Sequence, residues 1–504
     1  MNRTDTMTGM DALRVNTADS VAVALRDLSP GEKVRIDDKV LVPSLAIARG
    51  HKMALCPVRE GEPVLRYGWP IGLASKDIAP GDHVHTHNLT TALQPGGALI
   101  YTADTNIHAP GSRPLDRTFA GYRRRGGAVG TRNEIWIIAT VGCVAQTARR
   151  IAGRAAAQHG DGLDDIHAIT HPFGCSQLGG DLADTRAILA GLASHPNAGG
   201  VLIVGLGCES NQIEALLAAA PGLDPSRVRI LRAQSAADEL EEGVALAGEL
   251  AEIARHDRRS PCPVSDLVIG VKCGGSDGFS GLTANPLAGR MTDMVTGAGG
   301  TSIITEIPEI FGAEHLLMNR AADEGVFAAG ARLVEGFKAY FTDNGQPVHE
   351  NPSPGNIAGG ITTLEEKSLG AVQKAGQAAL TDVIAYGQRA TRPGLTLLEA
   401  PGNDAVSSTA LACAGAQIIL FTTGRGTPLG FPVPTVKIAS TSSLAERKAH
   451  WIDFDAGPLL TGEKMEIVEA RLFDLVLAAA SGQPTRNEHN DEREIAIWKR
   501  GVTL

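Results

Sequence analysis

Aromatic residues make up only 4% of this 504-residue chain, and other absences say more. No run of about 18 apolar residues exists to cross a bilayer. The opening MNRTDTMTGMDALRV has no apolar core of the kind a signal peptide needs. No long Lys/Arg run offers charge to phosphates, and the net charge is −10, which argues against a nucleic-acid partner. Arg123-Arg124-Arg125 is short enough to be a solvated loop or an anion contact. The seven cysteines are odd in number and widely spaced, so a secreted disulfide framework is excluded. No C-x-x-C occurs, no G-x-x-x-x-G-K-[S/T] occurs, and no dinucleotide fingerprint follows a strand-like run. A reduced, cytoplasmic protein is expected. Its partner is a small molecule, not a nucleic acid or a membrane, and a homo-oligomer stays open.

What is present is glycine, at 59 residues, with an apolar fraction of 43% and a charged fraction of 20%. That is a soluble α/β composition, too long for one core. Residues 1–93 read as a small all-β unit. Its turns recur as Pro30-Gly31-Glu32, Glu60-Gly61-Glu62 and Pro80-Gly81-Asp82, each followed by a strand start. The intervening Val21 to Leu25 and Val40 to Ile47 suit short strands. Residues 94–115 are rich in Pro, Gly and polar residues, as a linker is. From 116 to 260 strands and helices alternate, with strands near 135–140, 166–170, 201–206 and 228–231. This implies a parallel sheet. Residues 261–504 form a second α/β region. Its expected strands are 267–271, 302–306, 395–399 and 417–422, with a long helical stretch at 314–341, a loop at 351–363 and a last helix at 465–480.

The stretch LVIGVKCGGSDGFSGLTAN, 267–285, is the centre of the reading. A buried strand runs into a glycine turn that carries Cys273, Ser276 and Asp277, and Asn285 then opens a helix. Open α/β sheets build sites at such strand ends. Cys143, Cys175 and Cys208 also follow strands. They lie 32 and 33 residues apart, about one βα unit, and Cys273 lies 65 further on. The spacing puts all four at one sheet edge, either as thiolate ligands to iron or as buried small side chains. His83, His85 and His87 alternate, so a strand would turn them to one face, where imidazole suits iron, zinc or manganese. His51 and His171 are further candidates. Glu306 and Glu309 flank a proline after a strand, as ligands or acid/base groups do. Asn403 also follows a strand, and Arg425, between two glycines, is placed to clamp a carboxylate.

The blocks ARGHKMAL (48–55), GDHVHTHN (81–88), FGCSQLGGD (173–181), GLGCESNQ (205–212), CGGSDGFSGLTANP (273–286), TEIPEIFGAE (305–314), NPSPGNIAGGITTLEEKSLG (351–370), APGNDAVSSTALA (400–412), TGRGTP (423–428) and HWIDFDAG (450–457) resemble the altronate/galactarate dehydratases, in one order and nearly end to end. The altronate branch is the most similar. The resemblance implies an α/β multidomain fold. Its parts are an N-terminal SAF-type β domain, a Rossmann-like parallel middle domain and a C-terminal α/β domain. It implies iron(II) dependence, with manganese(II) as a substitute and an iron–sulfur cluster open. It also implies conversion of D-altronate to 2-dehydro-3-deoxy-D-gluconate and water. Galactarate dehydration or sulfite elimination from a sulfolactate is the alternative on the same scaffold. A carbohydrate-binding protein is the non-enzyme alternative. In this picture His51, His85, His171 or Glu306 does acid/base work. Ser276, Asp277, Asn285, Asn356, Asn403 and Arg425 hold the sugar acid. Cys143, Cys175, Cys208, Cys273, His85 and His87 meet the metal.

Overall fold

The apolar periodicity of the chain folds into three units, described by a computed structural model for residues 10–93, 99–104, 106–220 and 222–504. In the first unit Gly31, Gly61 and Gly81 sit at positive φ in the three repeated turns. The strands that follow are Val34–Ile36, Pro63–Arg66 and His83–Val84. Ala12–Leu13, Val21–Ala24, Lys52–Ala54 and His83–Val84 lie side by side as an antiparallel sheet. A hairpin and a three-stranded sheet complete the unit. The strand expected at 40–47 is only Lys39–Leu41.

The middle unit is a four-stranded parallel sheet in the order Asp165–Ile169, Glu134–Ala139, Ala198–Gly205, Val228–Arg232. Side chains alternate across it. Ile135 and Ile137 bury against the helices Ala145–His159 and Glu239–Ala254. Trp136 and Ile138 point the other way, into a core continuous with the C-terminal unit.

The C-terminal sheet has seven parallel strands, ordered Leu380–Ile384, Gly394–Leu398, Thr301–Ile304, Val268–Cys273, Ile418–Thr423, Thr435–Ala439, Phe454–Asp455. Connections run outward to one side from Val268–Cys273 and then return to the other at Ile418–Thr423. The switch point therefore lies between these two strands, and ligands bind at the carboxyl ends of strands there.

Several expected boundaries moved. The stretch 314–341 is two helices, Glu314–Met318 and Glu324–Asp343. The break is fixed by Asp323, whose carboxylate accepts the Val326 N–H at 2.9 Å as an N-cap. The loop at 351–363 contains the helix Pro354–Ala358, capped by Ser353. Within the expected linker, residues 94–98 and 105 lie outside the described residues. The rest lies along the C-terminal unit, where His108 N–H bonds Gln377 O at 2.8 Å. The chain ends by reaching back to the middle unit. Arg500 and Gly501 N–H groups bond the two carboxylate oxygens of Asp181, at 2.8 and 3.0 Å. Leu504 N–H bonds Ser176 O at 3.0 Å. Among the described residues no helix is long and apolar enough to cross a membrane.

Candidate active site

A cleft of about 580 Å³ opens at the carboxyl ends of the central C-terminal strands. Cys273, Ser276, Glu309, Asn356, Lys367 and Asn403 are among its lining residues. Its floor is a buried ion network. Lys272 is fully buried in the central strand, with its ammonium 3.0 Å from Glu306 and 2.6 Å from Asp404. Lys374 Nζ lies 2.7 Å from Cys273 Sγ and 3.2 Å from Glu306. Lys367 Nζ lies 2.8 Å from Glu309. Burial would neutralise Lys272 and Lys374, but their anionic neighbours outweigh it and the net shift is upward, so both stay charged. Burial would likewise raise Glu306, but Lys272 and Lys374 hold it below the usual carboxylate range. Burial pushes the Cys273 thiol up to about 12. The thiol is therefore protonated at neutral pH, accepting from Lys374 and donating to Glu309 at 3.3 Å.

A second constellation sits where the β unit docks. The backbone of Gly50 nests so closely between two C-terminal loops that a Cβ on Gly278 or Gly360 would fall 2.0 or 2.4 Å from its carbonyl oxygen. Lys52 and Arg66 clamp the buried Glu366 from the same side. Burial alone would raise Glu366, but these two cations hold it down to about 2. Here His51 Nδ1 is 3.1 Å from His83 Nε2, and His51, His83, His85 and His87 rings neighbour one another with centroids 4.9 to 5.4 Å apart. Strand periodicity is not what gathers them. The strand ends at Val84, and Asn88 folds a turn by bonding His83 O and His85 N. His51 and His85 reach the carbonyls of Ala358 and Ile357 at 3.4 and 3.1 Å, on the helix whose Asn356 lines the cleft. Burial lowers the pKa of His51, and takes His83 down to about 3 and His85 to about 4, so these rings are neutral donors.

The four strand-end cysteines do not converge. Cys143, Cys175 and Cys208 are exposed on the middle unit, whereas Cys273 is buried in the C-terminal one, because the two sheets are separate. His171 belongs to the middle unit and has no nitrogen to spare. Its Nε2 bonds Ala139 O at 2.9 Å, its Nδ1 accepts Phe173 N–H at 3.1 Å, and burial takes it down to about 4. It locks a loop and is not placed to act as a base. Glu306 is fully buried beneath the cleft and bonds the Cys273 N–H at 3.0 Å.

The expected substrate residues divide in the same way. Ser276, Asn356 and Asn403 line the cleft. Asn356 also ties the Ser276 carbonyl at 2.8 Å, and Asn403 caps the helix Asp404–Cys413. Asp277 is occupied in its own turn, accepting from Phe279, Ser280 and Ser440. Asn285 is buried, with both amide ends bonded, to Gly370 O and Thr422 Oγ1. Arg425 is exposed, with its stem against Gly275. Gly274 to Gly278 also fits a G-x-S-x-G spacing, yet no histidine is among the cleft's lining residues to serve Ser276. Lys367 and Lys374 were not singled out from the sequence, because helical lysines in EEKSLGAVQK read as surface. Lys272 did carry a signal, since a charge inside the apolar run LVIGVKC must be paired.

Two donor sets bear on a metal. Cys273, Glu306 and Glu309 are the one described group of three whose ligand atoms all lie within 4.8 Å of one another. Three ammonium groups already neutralise that set, so it does not fit a cation. The neutral imidazoles of His51, His83 and His85 are of the ligand type that suits a ferrous or manganous ion, and their rings are neighbours, though their nitrogens do not all lie within 4.8 Å of one another and would have to draw together around it.

Three family models match the chain in succession. The altronate/galactarate dehydratase SAF domain covers residues 10–92. The second domain of D-galactarate dehydratase/altronate hydrolase covers 121–255. The C-terminal domain of D-galactarate/altronate dehydratase covers 264–503. Altronate dehydratase of Escherichia coli is 48% identical over 98% of this chain and 100% of its own length. The Bacillus subtilis enzyme of that name is 48% identical over 98% and 99%. Galactarate dehydratase (L-threo-forming) of E. coli is 34% identical over 94% and 93%. With all three domains matched in order, the chain belongs to the D-galactarate/altronate dehydratase family.

Proposed function

We propose that the chain is a cytoplasmic hydro-lyase that converts D-altronate to 2-dehydro-3-deoxy-D-gluconate and water. The observation that carries this reading is the proton circuit on the cleft wall, Glu309–Cys273–Lys374, beside the cation Lys367, in a chain 48% identical to two altronate dehydratases over nearly its whole length. The carbon 2 proton of a sugar acid is weakly acidic, because its neighbouring carboxylate is already negative. Lys367 supplies positive charge where an enediolate would develop. Glu309, which lines the cleft, takes the proton. The carbon 3 hydroxyl leaves as water with the proton of the Cys273 thiol, and protonated Glu309 returns a proton to that sulfur across their hydrogen bond. The enol then ketonises. Lys374 stays charged throughout and holds the sulfur in place. His51, His83 and His85 would hold an iron(II) or manganese(II) ion, which supplies Lewis acidity toward the sugar oxygens when bound.

The test is an anaerobic assay of the iron-supplemented protein for 2-keto-3-deoxy acid, run on altronate, galactarate and sulfolactate. Keto acid from altronate, faster than turnover of the other two, is expected. No keto acid from any aldonate or aldarate would end the reading.

A further inference from the structure

Free cysteines ordinarily behave as small buried side chains. Cys262, Cys273 and Cys413 do so, but Cys143, Cys175 and Cys208 are exposed. The strand order places the strands before them side by side, with that of Cys143 in the middle, and neighbouring parallel strands run about 4.8 Å apart. Their loops are stitched together. Gly142 N–H bonds Phe173 O at 2.8 Å, and Asn211 N–H bonds Gly174 O at 2.9 Å. Asn211 Nδ2 bonds Thr140 O at 3.2 Å. Each thiol follows a glycine that the packing requires. A Cβ would lie 2.9 Å from Pro172 O at Gly142, 2.2 Å from Thr140 O at Gly174, and 2.7 Å from Gln234 Oε1 at Gly207.

Hydrogen-bond donors accompany the sulfurs. Gln234 Nε2 donates to Cys208 Sγ at 3.4 Å. Gln177, 4% exposed and two residues from Cys175, accepts Gly174 N–H through Oε1, while its buried Nε2 has no acceptor. The one nearby carboxylate in these loops, Glu209, is committed to Thr140 and to the Leu206 and Gly207 N–H groups. The three sulfurs are not all within 4.8 Å of one another. A single tetrahedral ion with metal–sulfur bonds of about 2.3 Å would need a tighter triangle. A cluster that offers a different iron to each thiolate spans a wider one.

We infer that Cys143, Cys175 and Cys208 hold an iron–sulfur cluster through three thiolates, with one iron left without a cysteine ligand. The Gln177 and Gln234 amides would donate to its sulfurs and tune it. This site uses none of the three histidines proposed to hold the iron(II) ion, and it does not depend on the altronate reading.

The test incubates the whole chain anaerobically with equal amounts of ferrous and ferric ion and with sulfide, so that the mixed-valence cluster assembles without a further oxidant, then desalts it. Iron and acid-labile sulfide retained in equal amounts are expected, with broad visible absorbance that bleaches on dithionite. C143S, C175S and C208S should each retain at least about tenfold less sulfide and colour. C56S, which alters an exposed thiol of the β unit, should match the parent. Circular dichroism of the apo variants checks that all fold alike. Failure of the parent to retain sulfide, or retention at parent level by the three variants, overturns the inference. Because the readout is spectroscopic, it stands or falls separately from keto-acid formation.

Discussion

Two parallel sheets in this chain present their carboxyl edges in opposite ways. The middle sheet ends in exposed thiols on glycine turns. The C-terminal sheet ends in a cleft floored by lysines and carboxylates that are almost completely buried. Both edges occupy the position where α/β folds bind ligands, yet only the second concentrates charge in a low-dielectric setting. There a protonated thiol and a carboxylate oxygen lie 3.3 Å apart, beside two buried ammonium groups. A cysteine at a strand end thus has two meanings, and the surrounding charges decide between them.

That contrast is broken most severely by removing one ammonium group. Lys374→Met would leave Glu306 short of a partner in a buried site, with an expected cost of about 3–5 kcal/mol, read by urea unfolding. C208S, at the other edge, should change stability by no more than about 0.5 kcal/mol. Equal losses would erase the distinction. Next in size, His85→Ala should weaken ferrous-ion binding by at least about tenfold, measured by anaerobic titration, since even outer-shell changes cost about 10–100-fold. Unchanged binding would remove the histidines from the metal site.

Acidification sharpens the comparison through its order. His171 and His195, buried in the middle unit, are held down to about 4 and about 3 from 6.5, chiefly by burial. The unfolded chain therefore binds protons first, and stability is lost as pH falls below 6.5. Glu134, pushed up to about 8 by burial, works the other way between 4.5 and 8 and offsets part of this. Glu366, which docks the β unit, is held down to about 2, so its contribution is full above 4.5 and is lost only as pH falls toward 2. Hydrogen exchange should show the middle unit and the β-unit turn of His83 and His85, held down to about 3 and about 4 by the same burial, loosening before the Glu366 contact, and loss of the Glu366 contact first would contradict these assignments. A more local effect is expected from Asp181→Asn, which weakens two bonds to residues 500 and 501. It should cost about 1–3 kcal/mol and raise exchange at the Arg500 and Gly501 N–H groups, with Leu504 following.

Much of this was legible in the sequence. The helix Met465–Ala480 and the four middle strands lie where apolar spacing places them. The strand Thr435–Ala439 was missed because Lys437 interrupts its apolar run, and that lysine is buried against Pro428 O and Glu492. Leu380–Ile384 was missed because Thr381 and Asp382 dilute it. At the site, the turn bearing Cys273 and Ser276 and the glutamates 306 and 309 could be read from local pattern. Which glutamate faces the cleft could not, because the left-handed backbone of Glu306 and its burial beneath Lys374 are tertiary facts. The histidines were grouped by an incorrect local rule, a strand where there is a turn, and met all the same because His51 arrives from a separate strand end.

The most direct measurement is turnover of altronate deuterated at carbon 2 by the parent and by Glu309→Gln. The account predicts a primary isotope effect in the parent. In the variant, kcat should fall by about 10²–10⁴-fold in protein that circular dichroism shows to be folded, with a lowered melting temperature because Lys367 loses its charged partner. A variant that turns over at the parental rate would contradict the assignment of the proton-abstracting group, and with it the placement of the chemistry in the C-terminal cleft.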